Sequence, residues 1–365
     1  MNPSFKSAML AAAQLTAAGN LGAATATIQR ALAAEGSVTP APLAARTGAA
    51  QGSPGDVIDV QARWRPDETT RVESEPGQTL TGAFGNAAGK REYQLYLPRR
   101  AAPAAGAPAL VVMLHGCTQS PADFAAGTAM NALADRHGFL VLYPGQSKAA
   151  NQSACWNWFN PDDQRADSGE PSIIAGMARD IVARHGVDRR RIYVAGLSAG
   201  GAMAAILGNA YPELVAAVAV HSGLRPGAAH DLSSALAAMK RGAPSSGTAR
   251  AGSGPGAGER AVRTIVFHGR QDRTVHPANG GQVVDAALAA WPPGALAARQ
   301  ETGRSPGGRS YVRTVHVDTA GKPMVERWEV QGAGHAWSGG SPRGTHTDPL
   351  GPDASAATID FFLAH

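Results

Sequence analysis

One short segment constrains the fold of this chain more than any other. Residues 191–207 read RIYVAGLSAGGAMAAIL. Residues 192–195 form an apolar run of β-formers, and residues 202–207 form a helix-forming run. Between them lies Gly-Leu-Ser-Ala-Gly-Gly, with Ser198 at its centre. A strand that turns into a helix through a serine surrounded by glycines indicates a tight junction with room only for small neighbours.

Strand-like and helix-like segments alternate through most of the chain. The predicted strands cover residues 92–97, 109–114, 139–143, 192–195, 215–220, 264–267, 312–317 and 325–330. The predicted helices cover residues 121–137, 171–185, 280–290 and 354–363 and the segment after Ser198. Such alternation with buried Val, Ile and Leu runs predicts an α/β fold, a mostly parallel sheet with helices on both faces. Functional loops of such sheets lie at the carboxyl ends of the strands.

The first 89 residues differ in pattern from the rest. Residues 1–36 carry apolar residues at helical spacing on either side of a break, which predicts a short helical hairpin. Residues 37–89 are rich in Pro, Gly, Ala, Ser and Thr and lack periodicity, which predicts a flexible linker. The α/β domain is therefore expected over residues 90–365. Residues 241–259 have a linker-like composition and predict a surface loop within it.

Composition excludes several classes of function. The net charge of +5 comes from arginines scattered along the 365 residues, so a nucleic-acid-binding surface is not expected. No apolar run reaches the length of a membrane span. Two cysteines are too few for a structural zinc site, and we expect neither metal nor cofactor. Gln14 and Thr16 interrupt the N-terminal apolar run, so there is no clear export signal and the sequence alone favours the cytoplasm.

The segment Gly196-Leu197-Ser198-Ala199-Gly200 fits the G-x-S-x-G nucleophile elbow. In that arrangement the serine hydroxyl stands above the sheet, at the amino end of a helix whose free N–H groups favour negative charge. The alternative is an ordinary turn or helix cap. The strand before the motif and the helix after it favour the elbow.

A serine nucleophile needs a histidine base and an orienting carboxylate. In this fold they follow the serine in the order Asp, His, each on a loop after a later strand. Asp272 follows the strand at 264–267, and His335 follows the strand at 325–330. Singly, each is equally consistent with a turn-forming or loop residue, and His276 and His346 are rival bases. Order and position together favour Asp272 and His335.

Acyl transfer also needs two backbone N–H groups that bind the oxyanion. Ala199, directly after the serine, is expected to supply one. The turn His115-Gly116-Cys117-Thr118 after the strand at 109–114 is expected to supply the other, through the main chain of Cys117. His115 in this turn is interpreted as a brace for the loop rather than as a base.

Five motifs in this order resemble a known family. The motifs are LHGCTQ, CWNWF, GLSAGGAMA, HGRQD and GAGHAWSGG. Together they resemble the polyhydroxybutyrate (PHB) depolymerase-type esterases of the α/β-hydrolase superfamily, which are related to feruloyl and acetylxylan esterases. The resemblance covers about residues 90–365. It implies Ser198 as nucleophile, Asp272 as orienting acid and His335 as base. Members of the resembled family are often extracellular.

The placement of the cysteines and tryptophans adds further expectations. Cys117 and Cys155 lie in loops that both follow strands, so they are candidates for a disulfide that holds the oxyanion loop; two reduced thiols are the alternative. A disulfide implies an oxidising compartment, in conflict with the missing export signal. Trp337 and Trp158 are candidate substrate-contacting residues, with core packing as the alternative.

The sequence thus predicts a serine carboxylesterase whose partner is an ester substrate. The first hypothesis is hydrolysis of polyhydroxyalkanoate-type polyesters or their oligomers through an acyl-enzyme. The alternative is a feruloyl, acetylxylan or small-acyl esterase. A third hypothesis, from another class, is a non-catalytic interaction protein that docks through the helical hairpin. Nothing in the sequence sets the oligomeric state.

Overall fold

A computed structural model describes residues 77–99, 106–244 and 261–364, and in addition Ala11 and Thr27 in helical conformation. The predicted helical hairpin over residues 1–36 and the predicted linker up to residue 76 lie outside the described residues, apart from those two positions. Most of the predicted surface loop at 241–259 lies outside them as well.

Within the described residues, ten strands form one sheet, and two strands of two residues form a second. The strands are β1 (Gln78–Asn86), β2 (Gly89–Leu97), β3 (Leu110–Leu114), β4 (Leu140–Pro144), β5 (Ile192–Leu197), β6 (Ala217–His221), β7 (Arg263–Gly269), β8 (Ala297–Arg304), β9 (Ser310–Val317), β10 (Pro323–Val330), β11 (Trp337–Ser338) and β12 (Thr347–Asp348). The helices are α1 (Pro121–Thr128), α2 (Met130–His137), α3 (Gly169–His185), α4 (Ala199–Ala210), α5 (Leu232–Arg241), α6 (Ala278–Leu288) and α7 (Ala354–Leu363).

The order of strands across the large sheet is β1-β2-β4-β3-β5-β6-β7-β10-β9-β8. The six central strands, from β4 to β10, pair in parallel. Antiparallel strands extend the sheet on both sides, β2 and β1 at one edge and β9 and β8 at the other. The predicted mostly parallel α/β class is confirmed, with the arrangement of an α/β-hydrolase. The carboxyl ends of the parallel strands share one edge. The three predicted catalytic residues follow β5, β7 and β10, and the predicted oxyanion residue Cys117 follows β3.

Helices cover both faces of the sheet, and β3 shows this most directly. Its residues Leu110, Val112 and Leu114 belong to one apolar core, while Val111 and Met113 belong to the other. Helices α3, α4, α5 and α6 contribute to the first core, and α1, α2 and α7 to the second. A strand buried on both faces explains why β3 reads as a continuous apolar run rather than an alternating one.

The domain begins earlier than the sequence pattern predicts. The predicted linker extends to residue 89, but Gln78–Asn86 is strand β1, paired residue by residue with β2. The prediction fails there because β1 is an edge strand with mostly exposed or half-buried residues, which leaves little apolar pattern. The exposed edge strand β8 escapes prediction for the same reason. The single helix predicted at 121–137 is two helices, separated at Ala129, whose φ is +51°.

Candidate active site

Ser198 occupies a sharp turn between β5 and α4. Its φ of 57° and ψ of −118° lie where L-residues are rarely found, and such strain concentrates at functional sites. The Ser198 N–H donates to the His221 carbonyl at 2.9 Å, which ties the turn to the end of β6. The residue is 9% exposed. The turn thus presents a serine side chain at the carboxyl edge of the sheet while its backbone is held.

Two glycines make this turn sterically feasible. A side chain on Gly196 would collide with the backbone of Gly200. A side chain on Gly200 would collide with the carbonyl oxygens of Leu114 and His115, at the end of β3. The close approach of β5, α4 and the end of β3 therefore explains the glycine spacing, and it brings the turn after β3 beside Ser198. An ideal Cβ on Gly116 would lie 3.6 Å from Cβ of Ser198.

Asp272 and His335 come together from loops after β7 and β10. The Nδ1 of His335 lies 2.7 Å from Oδ2 of Asp272. The other oxygen, Oδ1, accepts the backbone N–H groups of Thr274 and Val275, each at 2.9 Å. A carboxylate only accepts hydrogen bonds, so Nδ1 of His335 carries the proton and Nε2 is left with a free lone pair. This is the tautomer that a general base needs.

The charge of Asp272 is stabilised within the protein. The carboxyl group is almost completely buried, and burial alone would raise its pKa. The positive charge that His335 can carry, together with hydrogen bonds from His268 and His335, more than offsets burial and holds the pKa of Asp272 far below its usual range. Asp272 is therefore a carboxylate at neutral pH and places its negative charge beside the His335 ring.

His268 is a contact of Asp272 that sequence reasoning misses. It lies at the end of β7 and is 2% exposed. Its Nε2 donates to the Val275 carbonyl at 2.8 Å and lies 3.4 Å from Oδ2 of Asp272. It therefore supports the loop that carries Asp272. The signal is present in the sequence, because His268 opens the HGRQD motif four residues before Asp272.

The backbone of the turn His115–Thr118 is almost fully hydrogen-bonded. The His115 carbonyl accepts from Nε1 of Trp156 at 3.2 Å, and the Gly116 N–H donates to the Gln119 side chain at 2.9 Å. The Gly116 carbonyl is 2.8 Å from Nδ1 of His115, and the Thr118 N–H donates to the Ser153 carbonyl at 2.7 Å. Among the described residues, the Cys117 N–H is left without a partner. It is therefore available to a ligand.

Two contacts hold the peptide unit between Gly116 and Cys117. Nδ1 of His115 contacts its carbonyl, which points away from the Cys117 N–H, and Nε2 of His115 accepts the Gln146 N–H at 3.1 Å. Burial lowers the pKa of His115, so it stays neutral and can do both. Cys117 and Cys155 are joined in a disulfide that closes a separation of 38 residues. Ala199, the first residue of α4, has no intrahelical acceptor for its N–H, so it is the second free donor beside Ser198.

Comparisons with known proteins identify the family of this chain. Residues 91–296 match the family described as esterase PHB depolymerase. The chain belongs to this family. Poly(3-hydroxyalkanoate) depolymerase C of Paucimonas lemoignei is 31% identical over 275 residues, which span 74% of this chain and 62% of that protein. Feruloyl esterase B of Neurospora crassa is 31% identical over 214 residues, 55% of this chain and 70% of that protein.

A solved structure supports the fold of this family member. Acetyl xylan esterase from Aspergillus awamori matches with a TM-score of 0.60 at 21% identity, over 78% of this chain and 99% of that chain. The likeness is one of fold. This chain spans less than two thirds of the depolymerase from Paucimonas lemoignei.

Both tryptophans predicted to contact substrate are core residues in this esterase-family chain. Trp337 is 1% exposed, its ring packs against His221 and Phe124, and its Nε1 donates to Ser355. Trp158 is 6% exposed and belongs to the first apolar core. The packing of Trp337 corrects the prediction for that residue, because large aromatic side chains favour burial whatever their distance in sequence from a catalytic residue. For Trp158, burial favours the alternative of core packing, and substrate contact stays a prediction.

The rival bases take other places. His276 is exposed, and its Nδ1 accepts the Ala278 N–H at the start of α6. His346 is exposed with a φ of 53°, and its carbonyl accepts the Trp337 N–H. Within the part of the chain that the structure describes, neither histidine forms a hydrogen bond with Asp272. Over residues 77–99, 106–244 and 261–364, no group of three or more His, Cys, Asp or Glu side chains has the arrangement of a metal site. No helix in that part of the chain has the length and apolarity needed to cross a membrane.

Proposed function

We propose that this protein is a serine carboxylesterase that hydrolyses polyhydroxyalkanoate-type polyesters or their oligomers. Ser198 acts as nucleophile, His335 as general base and Asp272 as the carboxylate that orients and stabilises His335. The observation that carries the proposal is the 2.7 Å contact between Asp272 and His335, in a chain whose strained serine stands at the same edge of the sheet.

The mechanism follows from the tautomer that Asp272 selects. Nε2 of His335 takes the proton of the Ser198 hydroxyl as the oxygen attacks the ester carbonyl. The carbonyl oxygen becomes an oxyanion, which the N–H groups of Cys117 and Ala199 bind. The protonated His335 then gives its proton to the leaving alcohol, and an acyl-enzyme forms on Ser198. Water attacks this ester in the second half of the cycle, with His335 again as base, and releases the acid.

The substrate class rests on the family and its named relatives. The family match and the depolymerase relative, which matches over 74% of this chain, favour a polyester of hydroxyalkanoate units. The alternative is a feruloyl-type, acetylxylan-type or small-acyl esterase. It is supported by the feruloyl esterase relative, which matches at the same identity over a shorter stretch of this chain.

A substrate panel tests the proposal. The full chain is assayed against soluble 3-hydroxybutyrate dimers and trimers, polyhydroxybutyrate granules, methyl ferulate, acetylated xylan and 4-nitrophenyl acetate. Ser198→Ala should lower kcat on every accepted ester by about 10³-fold or more. Ser222→Ala is the matched control, because Ser222 is also a buried serine with positive φ, directly after β6 at the same edge of the sheet.

The outcomes separate the hypotheses. A higher kcat/KM on hydroxybutyrate oligomers than on ferulate or acetyl esters supports the polyester assignment, and the reverse order supports the alternative. Equal activity of Ser198→Ala and the wild type would remove Ser198 as nucleophile. If no ester is hydrolysed and a fluorophosphonate fails to label Ser198, the third hypothesis, a non-catalytic interaction protein, would take its place.

A further inference from the structure

Gln119 lies directly after the turn that carries the Cys117 amide. The two ends of its side-chain amide bond to different parts of the chain. Gln119 is 5% exposed. Its Oε1 accepts the Gly116 N–H at 2.9 Å. Its Nε2 donates to Oδ2 of Asp123 at 2.8 Å and lies 3.1 Å from the Thr345 carbonyl. The oxygen and the nitrogen of the amide have different partners, so the side chain must accept on one side and donate on the other, as an amide does at every pH.

One partner of Nε2, Thr345, belongs to the loop that follows His335, and the other, Asp123, lies in the first turn of α1. Thr345 donates its N–H to Oδ1 of Asp123 at 2.9 Å and its hydroxyl to Oδ2 at 2.6 Å. The next residue, His346, accepts the N–H of Trp337, two residues beyond His335. Asp123 thus bonds both to Thr345, in the loop after β10, and to Gln119. Gln119 in turn bonds to Gly116, in the turn after β3.

The charge of Asp123 is fixed by the same contacts. Burial alone would raise its pKa, but hydrogen bonds from Thr345 and Gln119 more than offset burial and lower the pKa of Asp123. At neutral pH Asp123 is therefore a carboxylate that accepts from all three donors. The other titratable groups whose charges act on this pair are His346 and the buried His115, and His346 in turn interacts with His335.

We infer that Gln119 is a positioning residue that sets the distance between the oxyanion donor and the catalytic base. This inference rests on the proposed function. The tetrahedral intermediate must contact the Cys117 N–H on one side and Nε2 of His335 on the other, so the two loops have to be held in register. Gln119 links the two loops through its contact with Thr345, which is 226 residues away in the sequence. Loss of this link should lower kcat and leave KM nearly unchanged, because the oxyanion contact forms in the transition state.

Gln119→Glu is the informative variant. One carboxyl oxygen still accepts the Gly116 N–H, but the other replaces Nε2 and faces the Asp123 carboxylate. When the introduced carboxyl group is ionised, the two carboxylates repel and the link opens. When the pair shares a proton, the introduced O–H can donate to Asp123 as Nε2 did. The ratio of variant to wild-type kcat should therefore be about 0.1 or less at pH 8.5 and rise several-fold by pH 5.5.

Two further variants isolate the cause. Gln119→Glu combined with Asp123→Asn removes the second charge, since the Asn NH₂ can donate to the introduced carboxylate, and the kcat ratio should lose its pH dependence. Gln119→Met removes both hydrogen bonds without a charge, so kcat should fall about 10-fold at every pH at similar KM. Thermal unfolding is measured for each variant at both pH values.

The outcomes are separate from those of the proposed function. If the wild type hydrolyses esters in a Ser198-dependent way, but Gln119→Glu shows a pH-independent ratio or Gln119→Met keeps its kcat, the inference about Gln119 is wrong and the proposed function stands. If the wild type hydrolyses no ester, the proposed function fails first, and the inference about Gln119 falls with it.

Discussion

Replacement of Asp272 by Asn is the sharpest test of the catalytic geometry, because the hydrogen bonds dictate how the amide must sit. The two backbone N–H groups at Oδ1, from Thr274 and Val275, need an acceptor. An amide can satisfy them only with its oxygen. Its NH₂ group must therefore occupy the place of Oδ2, 2.7 Å from Nδ1 of His335. There it donates to Nδ1, so the ring proton moves to Nε2, where it blocks the function of a base.

The size of the loss follows from the cost of the productive tautomer. Returning the proton to Nδ1 would set two N–H donors against each other, and each buried donor left unsatisfied costs about 1–3 kcal/mol. Two such groups cost about 2–6 kcal/mol, which corresponds to about 30-fold to 10⁴-fold in rate. Serine hydrolase triads fall at the upper end of this interval. We expect kcat of Asp272→Asn on a soluble ester at pH 7 to fall by at least about 10²-fold.

Asp318→Asn is the matched control. Oδ1 of Asp318 also accepts two backbone N–H groups, from Ala320 and Lys322, each at 2.9 Å, in a turn between β9 and β10. Asp318 accepts backbone N–H groups as Asp272 does, but among the described residues it has no histidine partner. The kcat of Asp318→Asn should therefore equal that of the wild type. Urea unfolding of both variants measures any loss of stability. If Asp272→Asn keeps more than a tenth of wild-type kcat, the tautomer argument is wrong and another carboxylate orients His335.

Two further predictions follow from the disulfide and from a buried histidine. Reduction of the Cys117–Cys155 disulfide, or Cys155→Ala, should lower kcat by up to about 10²-fold with little change in KM, because the proposed oxyanion donor at Cys117 loses its tether; equal kcat with and without reductant would contradict this. Burial, together with the charges of His268 and His335, lowers the pKa of His221 to about 3, so His221 is neutral in the fold but takes up a proton on unfolding below its ordinary pKa of 6.5. His221 should therefore make the free energy of unfolding fall by on the order of 1 kcal/mol for each unit by which the pH is lowered between about pH 6 and 4. His221→Phe should reduce that slope in urea titrations at pH 7, 5.5 and 4.5, and an unchanged slope would refute the assignment.

The positions of Ser198, Asp272 and His335 could be predicted because, in a parallel sheet, the residues that follow the strands all lie at the same edge. Each follows an apolar run, and the carboxyl ends of parallel strands meet at one edge of the sheet. The prediction needs the strands, their parallel direction and the order of the three residues; the apolar runs indicate the strands, and the alternation with helices indicates their direction. The contacts of Gln119 could not be predicted in this way. Gln119 ends the motif LHGCTQ, but its partner Thr345 is 226 residues distant and no local pattern marks Thr345.

The failures have a common physical cause. Edge strands such as β1 and β8 are mostly exposed, so their formation depends on a neighbouring strand rather than on their own apolar pattern. The prediction for Trp337 fails for a related reason. It lies two residues after His335, but it belongs to β11, where pairing with Thr347 places it in the core between His221 and Phe124. In both cases distant parts of the chain decide the outcome.

Cys117 shows how far a motif can be interpreted without a structure. The motif predicts its N–H as an oxyanion donor, and for that role any side chain would serve, because the donor is backbone. The structure gives a reason for the cysteine itself. The peptide unit before it is fixed through its carbonyl by His115, the preceding N–H is bound by Gln119, and the disulfide to Cys155 holds the other side. A donor worth several kcal/mol to the transition state acts only while it is held in place. The side chains of this turn are therefore better explained by the rigidity of one N–H group than by contact with substrate.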